Sequence, residues 1–107
     1  MTIPYHNFTS PNHPNKYPAN SNCEWNIVNY KRNTRLLLKI DDLDTERNHD
    51  FIHIYSDGHY MGNLTGFSSN VSTFSAGRHM RVVFTSDYSG QRTGFIAYYT
   101  AKYRGNC

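Results

Sequence analysis

The chain has 107 residues, enough for one domain with its own core and too few for two. Its net charge is +3, and its 11 Lys and Arg are scattered, which excludes the dense basic footprint of a nucleic-acid binder; the tightest group, Lys31 to Arg35, has no stacking aromatics interleaved with it. No apolar run approaches the ~20 residues a membrane span needs, and residues 1–15 lack a signal peptide's apolar stretch, so Met1 reads as an initiator added to a mature fragment.

Aromatic residues make up 15% of the chain, a bias that favours strands. Residues 6–22, HNFTSPNHPNKYPANSN, are punctuated by Pro and Asn too often for a helix and predict an ordered, turn-rich lead-in. CEWNIVN (23–29) alternates, with Trp25, Ile27 and Asn29 on one face. RLLLKID (35–41) sets Leu36, Leu38 and Ile40 on one face. DFIHIY (50–55) opposes Ile52 and Ile54 to Phe51, His53 and Tyr55, and a turn follows at Ser56-Asp57-Gly58. HMRVVFTS (79–86) buries Met80, Val82 and Phe84, and GFIAYYTAKY (94–103) aligns Phe95, Ala97 and Tyr99. Turn signals between these runs, and the absence of any sustained helical period, predict an all-β fold: a two-sheet antiparallel sandwich filling one domain, 1–107.

Catalytic motifs are absent: there is no H-E-x-x-H, no G-x-S-x-G and no phosphate-binding loop. His49 and His53 offer two imidazoles for zinc, with no third His or Cys near them in sequence. The acids are more informative. DDLDTERNHDF (41–51) holds five carboxylates in eleven residues, and their repulsion is relieved by solvation in a loop or by a bound hard cation. Calcium takes six to eight oxygens, and Glu46, Asp50 and the distant Asp87 would form such a cage. The two cysteines, Cys23 and Cys107, allow one internal bridge, closing about 85 residues and contributing ~4 kcal/mol; alternatively, Cys107 opens a following module or Cys23 lost its partner when the fragment was cut. Three N-x-[ST] sequons, at Asn7, Asn63 and Asn70, hint at secretion and at a glycoprotein.

Several blocks together resemble one family. SPNHPNKYP resembles S-P-N-x-P-x-x-Y-P, and CEWNI resembles C-x-W-x-I. LDTERNHDFIHIYSDG resembles an acid-loop-acid stretch ending in a strand and turn. MRVVFTSDYSGQRTGFIAYY resembles L-x-V-x-F-x-S-D-x-S-x-x-x-x-G-F-x-A-x-Y. These blocks, in this order, mark the CUB domain, an extracellular jelly-roll β-sandwich module. The resemblance implies a secreted, non-enzymatic binding module with Ca2+ as cofactor at one end of the sandwich. It places Glu46, Asp50, Asp87 and Ser89 at the metal, and Tyr17 as a tyrosine bracing the acids. Tyr17, Glu46 and Asp87 would then meet a Lys or Arg of an extracellular protein partner. Two features depart from the family pattern. The third and fourth cysteines are missing, before Asp50 and near Met61-Gly62, and the short spacing between Glu46 and Asp50 leaves open whether Asp44 joins or replaces Glu46. Other readings are a carbohydrate or glycosaminoglycan binder using residues 31–35 and exposed tyrosines, and a structural spacer within a larger protease or receptor.

Overall fold

Strand pairing organises the chain, and each strand is half apolar because each sheet buries one face. The computed structural model describes residues 6–29 and 35–100 and the backbone of 102–106. Among the described residues there are ten strands and no helix: β1 (His6–Thr9), β2 (Asn22–Val28), β3 (Leu36–Asp44), β4 (Phe51–Ser56), β5 (His59–Leu64), β6 (Phe67–Ser68), β7 (Ser72–Ala76), β8 (His79–Thr85), β9 (Gly94–Tyr99) and β10 (Lys102–Asn106). One sheet runs β1-β9-β3-β6, with β7 also on β3; the other runs β10-β2-β8-β4-β5. Every pair is antiparallel, and the two sheets form a sandwich.

The inner faces are the ones the alternation marks. Trp25 and Ile27, Leu36, Leu38 and Ile40, Ile52 and Ile54, Met80, Val82 and Phe84, and Phe95, Ala97 and Tyr99 are all buried. A fully buried side chain of this size stabilises by roughly 1.5–3 kcal/mol. Aromatic rings fill the middle. Phe8 stacks on Trp25 at 4.4 Å, Trp25 meets Phe95 edge-on at 5.8 Å, and Phe95 meets Phe84 at 5.5 Å. Tyr17 continues the series, 4.9 Å from Phe84, and leads it out of the core toward the acids. Asn29 shares the inner face but its side chain is satisfied on main chain, Nδ2 donating to Gly77 O at 3.3 Å, beside its backbone amide bond to Arg78 O at 2.8 Å.

Three expectations need correction. The lead-in is turn-rich and free of helix after residue 9, but residues 6–9 form β1 on the edge of β9, because Phe8 has an inward place beside Trp25. The run 94–103 is not one strand. Its alternation looks continuous, but β9 ends at Tyr99 in one sheet and β10 begins at Lys102 in the other, paired to Val28. Alternation reports which side faces the core and is blind to a change of sheet. Strands β5, β6 and β7 were not expected, since HYMGNL and STFSA carry little apolar alternation; the neighbours β4 and β3 supply their hydrogen bonds.

Candidate metal centre

The acid end is built by a break in alternation. Leu36, Leu38 and Ile40 point inward, and strict alternation would send Asp42 into the core. A bulge between Asp41 and Asp44 prevents this: Asp42 takes φ 53° and stays exposed, and Leu43 takes the inward place. Asp is among the few residues that tolerate this left-handed backbone. Beyond the bulge Thr45 is buried, and a turn over 47–49 reverses the chain into β4. The amides of His49 and Asp50 donate to Glu46 O at 3.2 and 3.0 Å, and Asn48 sits at φ 64°.

Asp50 lies beneath this turn with 0% exposure. A carboxylate so buried must be hydrogen bonded. Tyr17 Oη donates to its Oδ2 at 2.5 Å, and the Asp87 amide donates to its Oδ1 at 2.8 Å. The same Tyr17 oxygen accepts the Glu46 amide at 3.2 Å. Burial, and then the bond to Asp50, push the Tyr17 hydroxyl well above its ordinary pKa, so it remains a donor throughout the physiological range. Thr65 adds a third support. Its hydroxyl donates to Asp50 O at 2.8 Å and accepts the Asn48 amide at 2.9 Å. In the sequence Thr65 is marked only by its place in the Asn63-Leu64-Thr65 sequon.

Above Asp50, side chains from two distant loops converge. Ligand atoms of Glu46, His49 and Asp87 lie within 4.8 Å of one another. Asp87 Oδ2 is 3.5 Å from His49 Nδ1, and Asp87 Oδ1 accepts the Ser89 amide at 3.2 Å. The loop after Asp87 closes over Glu46: a Cβ built on Gly90, at φ +80°, would lie 1.5 Å from Glu46 Oε2. Only glycine leaves that space to the carboxylate. Two carboxylates from separate loops, with a buried third carboxylate below, suit a hard divalent cation. One aromatic nitrogen, from His49, stands beside them.

The structure sorts the other candidates. Asp44 turns to Thr93, whose Oγ1 lies 3.4 Å from Asp44 Oδ2, so Glu46 rather than Asp44 stands next to Asp87. Tyr17 is 1% exposed, which leaves it no surface to lend a partner; it acts through Asp50 and Glu46. Ser89 is exposed, and its amide rather than its hydroxyl bonds Asp87. His49 and His53 do not meet: His53 Nδ1 is 3.1 Å from Tyr60 Oη on the outer sheet face. His49 joins the acids instead, and its position directly before Asp50 was the available signal. Asn7, Asn63 and Asn70 are all exposed. Cys23 is fully buried, and Cys107 lies outside the described residues, as do Lys31 to Thr34 of the basic group. Among the described residues no helix is long and apolar enough to cross a membrane.

Comparison with known proteins agrees with this architecture. The chain is 30% identical over 109 residues to the zinc metalloproteinase nas-39 of Caenorhabditis elegans, covering 94% of this chain and 12% of that protein. The MASP-1 CUB2 domain bound to Ca2+ superposes with a TM-score of 0.79 at 28% identity, covering 91% of this chain and 92% of that one. The full extracellular region of zebrafish Gpr126/Adgrg6 contains a match with a TM-score of 0.71 at 30% identity, over 92% of this chain and 14% of that region. The chain thus corresponds to one module within much longer relatives. Residues 1–99 match the family model for the CUB domain, so by sequence and by its two-sheet sandwich this chain is a member of the CUB domain family.

Proposed function

We propose that the chain is an extracellular, non-catalytic binding module whose acid end is ordered by calcium and receives a basic side chain of a protein partner. The observation that carries this reading is the meeting of Glu46 and Asp87, from loops 41 residues apart in sequence, over the fully buried Asp50. Support comes from two relatives: the MASP-1 CUB2 domain was solved bound to Ca2+, and the zebrafish match lies in an extracellular region. Glu46 and Asp87 would hold the ion, with Asp50 fixed below them and Ser89 shaping the Asp87 loop. Calcium, when bound, neutralises the clustered acids and ties the two loops together. Carboxylate oxygens facing solvent keep negative potential on a chain whose net charge is +3. A Lys or Arg placed there gains charge-assisted hydrogen bonds, and a loop already ordered loses less entropy when it docks.

The test is a calcium titration by calorimetry, followed by partner capture with and without chelator. The expected result is one binding event that is lost in Asp87→Ala and kept in Asp57→Ala. Unaltered calcium affinity in Asp87→Ala would sink the proposal.

A further inference from the structure

Among the described residues, strand β5 is the outer edge of its sheet and pairs only with β4. Leu64 packs against the core, so strict alternation puts Gly62 inward, Asn63 outward and Tyr60 inward. The register says otherwise. Asn63 stands opposite His53 and Gly62 opposite Ile54, but Tyr60 stands opposite Tyr55, leaving Met61 as an extra residue. Gly62, at φ 133°, supplies the backbone for this bulge. Tyr60 and Asn63, three residues apart, therefore share the outer face. Asn63 Nδ2 donates to Tyr60 Oη at 3.1 Å.

The surface around that pair is aromatic. Tyr60 is 51% exposed, and its ring lies 5.2 Å from that of Tyr55. His53 Nδ1 is 3.1 Å from the Tyr60 hydroxyl, Phe51 stacks on His53 at 5.6 Å, and the Arg81 guanidinium lies 5.0 Å over Tyr55. Asn63 heads the sequon Asn63-Leu64-Thr65.

We infer that Asn63 carries an N-linked glycan whose first N-acetylhexosamine packs on Tyr60 and covers the β5 edge. In the modification, Asn63 Nδ2 bonds to the anomeric carbon of an oligosaccharide carried on a polyprenyl diphosphate. The bond from that carbon to the diphosphate oxygen breaks, the diphosphate leaves with the electron pair, and one amide proton goes to the transferring enzyme's base. The second amide hydrogen remains on Nδ2. A pyranose presents a face of C–H groups, with slight positive charge, and the Tyr60 ring presents a negative face to meet it. The sugar also blankets an unpaired strand edge, which otherwise invites pairing with another chain.

The inference rests on the extracellular reading of the chain and not on its calcium site. Its test uses the chain with Asn7→Gln and Asn70→Gln, secreted from mammalian cells behind a leader and trimmed to a single sugar. The reference is the same sequence from the bacterial periplasm, which is oxidising and lacks this modification. Glycopeptide mass should show Asn63 occupied, and the single-sugar form should melt higher by about 4 °C. In a Tyr60→Leu background that increment should vanish. Secreted protein with Asn63 bare, or an increment that is equal with and without Tyr60, overturns the inference. Thr65→Ala is not a usable substitute, because Thr65 also ties the acid loop through Asp50 O and Asn48 N. Calcium titration of the same samples keeps the two readings separable: loss of calcium binding would leave the glycan result standing, and a bare Asn63 would leave the calcium result standing.

Discussion

Tyr17 belongs at once to the aromatic core and to the acid end. Its ring packs on Phe84, while its hydroxyl serves Asp50 and the Glu46 amide. Tyr17→Phe keeps the packing and removes the bonds, leaving a buried carboxylate short of one donor. The expected cost is about 2 kcal/mol, read from urea unfolding, together with weaker calcium affinity. A variant matching the parent in both would show that Asp50 finds another donor there. At the far end of β4, Asp57 makes a different use of a carboxylate. It accepts the amides of Gly77, Arg78 and His79 at 2.8, 2.9 and 3.0 Å, and these bonds, that from His79 first, hold its pKa down at about 2. The folded value lies below the unfolded one, so this stabilisation is complete above about pH 4 and is lost as pH falls toward 2. Asp57→Asn should flatten the melting temperature across that window and leave calcium binding intact. The sequence displays Asp57 as a turn residue, in S-D-G; its three partners lie twenty and more residues on, and no local pattern reveals them.

At the scale of elements, two irregularities place the acids, and neither is visible as a motif. The β3 bulge turns Asp42 outward, and the glycine at position 90 lets the loop after β8 close on Glu46. Gly90→Ala is strained at φ +80° by roughly 1–2 kcal/mol and must also displace the Glu46 carboxylate. It should lower both the melting temperature and calcium affinity, although residue 90 offers the ion no side-chain oxygen. Normal affinity in that variant would mean that Glu46 is not a ligand. Asp44→Ala should retain calcium binding, since Asp44 faces Thr93 rather than Asp87. The strands with clean alternation, β2, β3, β4 and β8, were legible to within a few residues because each buries one full face. The strands β5 to β7 were not, because their places are set by partners on β3 and β4 rather than by their own side chains. The nearness of Glu46 and Asp87 could be anticipated from family resemblance. The part played by His49 required seeing the turn at 47–49 carry its ring to Asp87.

For the whole molecule, the strand pairing at the chain's C-terminal end brings the two cysteines to facing positions in sequence register. β10 ends with Asn106 opposite Glu24, so Cys107 follows one strand by a single residue while Cys23 precedes the facing residue by one. We propose that the two are bridged, Cys107 serving as the partner of the buried Cys23. Intact mass after native alkylation should show no free thiol, and reduction should remove roughly 4 kcal/mol through the long loop released on unfolding. Two alkylated cysteines in the native protein would refute the bridge. The strand directions also give the module a polarity. His6 pairs with Tyr99, at the end of the sandwich where β2 and β8 pair Val28 with His79. Asn106, at the other extreme, has run back to Glu24, two residues from the Asn22–Thr85 pair that borders the acid loops. A segment joined ahead of His6 therefore hangs from the end remote from Asp50, and one joined after Asn106 starts beside it. In a string of such modules the acid end of each would look toward its successor, so a stiff C-terminal fusion should crowd a docking partner while an equally stiff N-terminal fusion leaves it room.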